Sequence, residues 1–197
     1  MKTKTFFFFV TLCFSFAASS QQTYEDSMNI FVQHYVQQHE VVKGADKARM
    51  QFYPVNKAFR VKANITPAST TGWISFKTSG SRNKLFRVYG TASFQLNGKN
   101  YQLNLYQSQE LVANPQYKNY LFLPFTDSTS GNETYYGGRY LDLSSTDIQN
   151  NVLTLDFNKA YNPYCAYVSG VYNCPIPPKE NALAVAINAG EKNYSAN

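Results

Sequence analysis

Two polar segments of the sequence carry most of the side chains that could bind a ligand or catalyse a reaction. They span residues 124–144 and 156–181 and are rich in carboxylates, carboxamides, tyrosines and turn-forming residues. Loops of this composition on a rigid β scaffold are where binding groups usually lie. The candidate ligand-binding residues are Asp127, Glu133, Arg139, Asp156, Asn158, Tyr161, Asn162, Glu180 and Asn181.

The carboxyl groups of Asp127 and Glu133 flank a loop of serine, threonine, glycine and asparagine. Two carboxyls could act as the general acid and the base or nucleophile of a glycosidic hydrolysis. The same oxygens could instead bind calcium. A third interpretation is structural, with Asp127 and Ser128 closing a turn while Glu133 faces water. The sequence leaves these alternatives open.

Arg139 follows two glycines, which allow the backbone to approach its neighbours closely. Its guanidinium group suits a carboxylate or a phosphate, so a ligand anion is one possible partner. Asp142 or Asp156 is the other, in an internal ion pair. Asp156 and Asn158 lie on the polar side of a predicted strand, where they could line a cavity or face water.

A run of aromatic and amide side chains occupies the start of the second segment. Tyr161, Asn162, Tyr164 and Tyr167 fall within seven residues. Tyrosine rings and carboxamides are suited to stacking against and hydrogen bonding a sugar, and they also hold loops together by packing. A small polar or carbohydrate ligand is therefore the partner that we expect.

Cys165 and Cys174 are predicted to form a disulfide bond. Two cysteines at this spacing in an exported chain most often close a small loop. Metal binding would need further ligands, and the two histidines, His34 and His39, lie far away in sequence. The sequence contains no recognisable motif for a catalytic nucleophile, a metal site or a cofactor site. We therefore predict that the protein binds no metal and no cofactor.

The first twenty residues are typical of a cleaved signal peptide. Lys2 and Lys4 precede an apolar run from Phe6 to Phe16, and small residues at 18–20 follow. The apolar run is shorter than the ~20 residues of a membrane-spanning helix. The sequence therefore predicts export to the periplasm or the extracellular space, with no membrane span, and a single domain over residues 21–197.

Charge is distributed unevenly along the chain. Residues 41–99 contain eleven basic side chains and one carboxylate, that of Asp46, whereas residues 100–197 have more acidic than basic side chains. One interpretation is that the early basic strands pair with later acidic ones. The other is a basic face for a polyanion such as lipid headgroups or an acidic glycan. Nucleic acid is not expected as a partner of an exported chain with this modest net charge, and the oligomeric state is left open.

Hydrophobic periodicity predicts a mainly β fold with one N-terminal α-helix. The helix is expected over Thr23–Gln38, and strands are expected wherever apolar residues alternate with polar ones. Asn97-Gly98 between two alternating runs predicts a β-hairpin. Short strands with little helix between them indicate an antiparallel β-barrel or sandwich. The predicted strands are 59–65, 73–77, 85–96, 101–105, 120–125, 140–143, 152–157 and 183–187.

Several strings of residues in the polar segments resemble a bacterial family, the domain of unknown function 1684. The strings are Pro124–Asp127, Glu133–Tyr135, Gly137–Leu143, Asp156–Pro163, Cys165–Tyr167, Cys174–Pro178, Glu180–Asn181 and Ala189–Lys192. The resemblance covers nearly the whole chain after residue 20 and implies that the two segments work as a unit. It implies no activity, because the family is named for lacking one.

Two positions depart from the pattern of that family. Tyr136 stands where a third glycine is expected, and Ala182 stands where a basic or larger polar residue is usual. If Ala182 replaces a side chain that binds a ligand, this protein either differs in specificity from its relatives or has lost their activity.

Three functions are consistent with the sequence. The first is an exported module that binds a small polar or glycan-like ligand, with the disulfide loop as a rim. The second is a cell-envelope hydrolase that uses carboxyl groups as acid and base. The third is a structural envelope protein without a ligand, in which the polar residues bind one another.

Overall fold

The computed structural model describes residues 13–70 and 72–194, with side chains from Thr23 onward. Residues 1–12 of the predicted signal peptide lie outside the described residues, so export stays a prediction. Helix α1 spans Cys13–Gln38 and contains the predicted helix Thr23–Gln38, which is confirmed. No proline or glycine interrupts residues 13–38.

The described part of the chain forms one antiparallel sheet that curls into a half-barrel. The strand order is β6-β5-β4-β3-β1-β7, and β2 pairs with β3 off this path. The strands are β1 (Arg60–Pro67), β2 (Ile74–Phe76), β3 (Lys84–Leu96), β4 (Lys99–Ser108), β5 (Tyr120–Phe125), β6 (Arg139–Ser144) and β7 (Val152–Asp156). The predicted antiparallel β fold is confirmed. A short helix, α2 (Gln109–Val112), follows β4.

The β3–β4 hairpin turns at Asn97-Gly98, as the sequence predicted. Both residues have positive φ, +50° and +74°, which the favoured two-residue hairpin turn requires. The register shifts between Val88 and Gly90, where β3 carries a β-bulge. Because an extra residue reverses the alternation of side chains, the bulge allows a long strand to contribute to two different clusters.

The two faces of the sheet are covered differently. One face packs the main core, which includes Ile65, Phe94, Leu105 and Phe157. The other face has an aromatic half around Phe86, Tyr106, Phe122 and Tyr140, and a polar half formed by the ends of β1, β3 and β4 near the hairpin turn.

The predicted strand over residues 183–187 is wrong. Leu183 and Ile187 are buried in the core, which explains the alternating pattern. The segment makes only isolated backbone hydrogen bonds, from Leu183 N to Thr126 O (2.8 Å) and from Ser128 N to Val185 O (3.1 Å). It therefore lies along the loop after β5 without joining the sheet.

Candidate functional site

The loop after β5 buries a salt bridge between Asp127 and Arg139. Arg139 Nη2 lies 2.8 Å from Asp127 Oδ2, and neither side chain is exposed. Asp127 Oδ1 accepts hydrogen bonds from the backbone N–H and the hydroxyl of Thr129 (2.8 and 2.6 Å) and from Ile187 N (3.2 Å). Both oxygens of Asp127 are therefore engaged within the protein.

Arg139 also binds the C-terminal segment of the chain. It donates to the carbonyl oxygens of Ile187 (2.9 Å), Ala189 and Glu191 (3.2 Å). Gly138 precedes it with φ +83°, and a Cβ atom there would lie 2.5 Å from Phe125 O, so only glycine allows this close approach. The prediction that Arg139 pairs with Asp142 or Asp156 is wrong, because its carboxylate partner is Asp127.

A second buried polar cluster joins helix α1 to the end of β7. Tyr24 donates its hydroxyl to both carboxylate oxygens of Asp156 at 2.9 Å. Asn158 Nδ2 donates to Asp156 Oδ1 (3.0 Å) and to Asn56 O (2.9 Å), and Asn158 Oδ1 accepts from Asn56 N (2.8 Å). Arg60 lies 3.7 Å from Asp156. The structure thus brings Asp156 and Asn158 together, as a cluster that fixes two loops.

The other predicted site residues are dispersed. Asn181 is fully buried, donates to Asn104 O (2.9 Å) and Pro124 O (2.7 Å), and accepts from Asn104 N (2.9 Å). Tyr161 donates to Asp142 Oδ1 at 2.7 Å. Glu133 and Glu180 are exposed.

A buried carboxyl group, that of Glu191, joins three parts of the fold. Tyr167 donates to its Oε1 at 2.6 Å, while Asn162 N and the Tyr35 hydroxyl donate to its Oε2 at 2.9 and 3.3 Å. Burial raises the pKa of Glu191 from 4.5 to about 7, against the opposing effects of these hydrogen bonds and of Arg139. Burial, with the charge of Glu191, also raises the pKa of Tyr35 and Tyr167, so both hydroxyls stay protonated donors.

Glycine at position 190 is what allows Glu191 to point inward. Gly190 has φ +76°, and a Cβ atom there would lie 2.5 Å from Ala160 O and 2.7 Å from Phe157 O. The close packing lets Glu191 N bind Ala160 O at 2.8 Å. A side chain at position 190 would push this segment away from residues 157–160 and withdraw Glu191 from Asn162.

His39 lies beside the Glu191 cluster and closes the end of helix α1. Its ring contacts those of Tyr35 and Tyr167, with centroids 5.5 and 4.6 Å apart. His39 Nδ1 accepts a hydrogen bond from Val42 N at 2.9 Å, so the neutral ring carries its proton on Nε2. Burial and the nearby Lys47 and Lys43 lower the pKa of His39.

An open cleft of about 430 Å³ lies between the helix exit and the disulfide loop. We call it the loop cleft. Cys165 and Cys174 form the predicted disulfide bond, with Cα atoms 6.4 Å apart, and the loop between them supplies one wall. The lining residues are Glu40, Val41, Val42, Lys43, Asp46, Tyr167, Val168, Val171, Tyr172 and Tyr194.

Tyrosines and carboxyl groups give the loop cleft its chemistry. Tyr172 packs against Tyr164 with ring centroids 5.0 Å apart, and Tyr164 donates to Glu40 Oε2 at 3.2 Å. Tyr167 lines the cleft with its ring while its hydroxyl binds Glu191. The cleft is therefore connected to the buried carboxyl group by a single side chain.

The described residues contain no group of three or more histidine, cysteine, aspartate or glutamate side chains placed to hold a metal ion. Among the described helices, none is long and apolar enough to cross a membrane.

Residues 46–192 match the family model described as "Protein of unknown function (DUF1684)". The chain belongs to the DUF1684 family. A solved structure similar to this one is that of the uncharacterized protein from gene locus rrnAC0354 of Haloarcula marismortui, determined by solution NMR. It is 27% identical, with a TM-score of 0.64 over 88% of this chain and 96% of that one. No curated protein matches this chain.

The site residues that the sequence analysis missed in this DUF1684 protein are contributed by distant segments. In the sequence, Glu191 stands out only through the string Ala189–Lys192, and no local signal marks Tyr35 within the helix. His39 lies at the exit of helix α1. The available signal was Gly190-Glu191, since a glycine before a carboxylate allows the backbone to bury it.

Proposed function

We propose that this protein is exported and that it binds a small polar ligand, such as a mono- or disaccharide, in the loop cleft. The observation that carries the proposal is the lining of a cleft of about 430 Å³ by three tyrosines together with Glu40, Lys43 and Asp46. A cleft of this size accommodates a small ligand. Tyrosine rings can stack on a sugar ring while carboxylates and hydroxyls bind its hydroxyl groups.

The walls of the loop cleft are held in place before any ligand arrives. The disulfide bond closes one wall, and His39 fixes the other through its hydrogen bond to Val42 N. Glu191 anchors Tyr167 from behind at 2.6 Å. A preformed cleft loses less conformational entropy on binding, which favours a binding role.

The test is a thermal-shift screen of the purified protein against sugars, nucleotides, anions and divalent metals. A ligand should raise the melting temperature of the wild type and of Tyr117→Ala, and should fail to raise that of Tyr172→Ala. Tyr117 is a matched control, because it is 41% exposed against 37% for Tyr172 and lies outside the cleft. If no class of ligand stabilises the wild type, the protein has the structural role instead.

Hydrolysis is the second candidate, because two carboxyl groups, those of Glu40 and Asp46, line the same cleft. Hydrolysis of a glycosidic bond commonly uses two carboxyl groups. Asp46 already pairs with Arg49 at 2.8 Å, and Glu40 binds Tyr164. Release of nitrophenol from nitrophenyl glycosides by the wild type, and its loss in Glu40→Gln, would favour the enzyme over the binding module.

Export has its own test. The full-length chain is produced in a bacterial host, and the protein recovered outside the cytoplasm is examined by intact-mass spectrometry. A mass that begins at Gln21 supports export with cleavage after Ser20. Recovery of the full-length mass from the cytoplasm alone would contradict it.

A further inference from the structure

Six polar side chains form a regular array on the exposed part of the sheet near the β3–β4 hairpin. Asn64, Ser93 and Gln102 are register partners across β1, β3 and β4, and Gln95 pairs with Asn100 in the next row. Lys62 lies two residues before Asn64 and so shares its face. Neighbours in such an array lie ~4.8 Å apart across strands and ~7 Å apart along them.

This array lines a groove of about 820 Å³, larger than the loop cleft. We call it the sheet groove. Its other walls are Phe94, the half-buried Tyr101 and the segment Ala182–Ala184. Ala182 is one of the two positions that depart from the family pattern, and its small side chain leaves the groove open.

The polar groups of the sheet groove are suited to hydroxyl-rich ligands. Gln102 Nε2 donates to Ser93 Oγ at 3.1 Å, and each carboxamide has two N–H donors and an acceptor oxygen. Neighbouring amides can therefore bind the adjacent hydroxyl groups of a sugar. The side chains project from paired strands, which hold them more rigidly than loops do. The rings of Tyr101 and Phe94, 6.0 Å apart, lie on the core side of the sheet, so the polar array supplies the ligand-binding groups.

The charge of the sheet groove favours an anion. Its lining includes Lys62 and no carboxylate. Residues 41–99 contain eleven basic side chains. In the described part of the chain, two of them, Arg49 and Arg60, have a carboxylate within 4 Å. Among the described residues, the pairing of early basic strands with late acidic ones is therefore limited to Arg60 with Asp156. Lys62, with no carboxylate among the lining residues, gives the groove a positive field, which attracts anionic ligands.

We propose that the sheet groove binds an acidic oligosaccharide, with its carboxylate on Lys62 and its hydroxyl groups on the amide array. A nucleic acid fits less well, because it needs several cations for its phosphates and exposed rings for its bases. A peptide that adds to a sheet binds at a strand edge, whereas this array is a face of the sheet. The site is separate from the loop cleft.

The test is calorimetric titration of the protein with tetragalacturonate at low salt, beside cellotetraose as a neutral probe of similar length. Tetragalacturonate should bind and cellotetraose should bind far more weakly. Lys62→Gln should weaken tetragalacturonate binding on the order of tenfold, because a hydrogen-bonded ion pair is lost. Added sodium chloride should weaken binding to the wild type and affect Lys62→Gln much less.

Matched variants separate the sheet groove from general charge and from the loop cleft. Lys77→Gln removes the same charge from an exposed lysine beyond β2, outside the groove, and should bind like the wild type. Ala182→Trp should block the groove without changing the melting temperature, since Ala182 is exposed. Tyr172→Ala should leave tetragalacturonate binding intact, whether or not the loop cleft binds a ligand.

Four results would overturn the proposal. The first three are equal affinities of the wild type and Lys62→Gln, equal binding of the acidic and neutral probes, and no binding of tetragalacturonate at low salt. Equal weakening by Lys77→Gln would show that the whole surface charge, and not the groove, attracts the ligand.

Discussion

Replacing Glu191 by glutamine should change how the stability of the protein depends on pH. Glu191 is fully buried, and burial raises its pKa from 4.5 to about 7. In the unfolded chain the carboxyl group is solvated and titrates near its ordinary value. Between these two pKa values the folded state therefore holds a proton that the unfolded state releases.

The sign and size of the effect follow from this difference in proton binding. Because the folded state binds the proton more tightly, stability contributed by Glu191 is fully present below pH 4.5 and is lost as pH rises to about 7. At 1.36 kcal/mol per pKa unit, the total loss is about 3 kcal/mol. Glutamine cannot titrate, so Glu191→Gln should gain about 3 kcal/mol relative to the wild type over this interval.

Urea unfolding of both proteins at pH 4.5 and pH 8 measures the effect. The pKa of His39 is lowered by burial, so its contribution to the free energy of unfolding falls as pH falls. His39 is present in both proteins, and this contribution largely cancels in their difference. Glu110→Gln, an exposed carboxylate on helix α2, serves as the control and should track the wild type. A difference between wild type and Glu191→Gln that does not change with pH would refute the reasoning.

Three further changes test the buried contacts, each by the free energy of unfolding in urea. Asp127→Ala should destabilise by about 3–5 kcal/mol, because it leaves a buried guanidinium group without its carboxylate. Changing Cys165 and Cys174 to serine should cost about 2–3 kcal/mol, the loop entropy of a short disulfide. Asn181→Ala should cost about 2–3 kcal/mol by leaving buried backbone groups unpaired, whereas Asn188→Ala, exposed on the same segment, should cost under about 0.5 kcal/mol.

Local patterns in the sequence predicted those parts of the fold that depend on local rules. The Asn97-Gly98 turn and the strands with period two follow from backbone sterics and from one buried face. Residues 183–187 show the limit of this logic. Their alternation reflects burial of Leu183 and Ile187, but a ladder also needs a partner backbone, and a pattern on one segment does not reveal whether a partner is present.

The candidate sites were harder to predict because their residues are distant in sequence. Tyr35 and Glu191 are 156 residues apart, and only the folded chain brings helix α1 onto the C-terminal segment. The sequence indicated the segment around Asn162, which contacts Glu191, and the disulfide loop, which forms one wall of the loop cleft. Apart from Gly190 before Glu191, it could not show which of their polar residues face inward, because most buried and exposed polar side chains have the same local pattern.

The two polar segments are rich in polar residues mainly because loops, and not further strands, cover the open part of the half-barrel. Residues 181–192 lie against the sheet without a ladder, so side chains supply the hydrogen bonds that a neighbouring strand would otherwise make. These hydrogen bonds come, at successive points along the segment, from Asn181, from Arg139 paired with Asp127, and from Glu191. Buried groups that are already engaged are poor ligand-binding groups, since freeing them costs their internal bonds. The residues to test for ligand binding are therefore the accessible ones, Tyr172 in the loop cleft and Lys62 in the sheet groove.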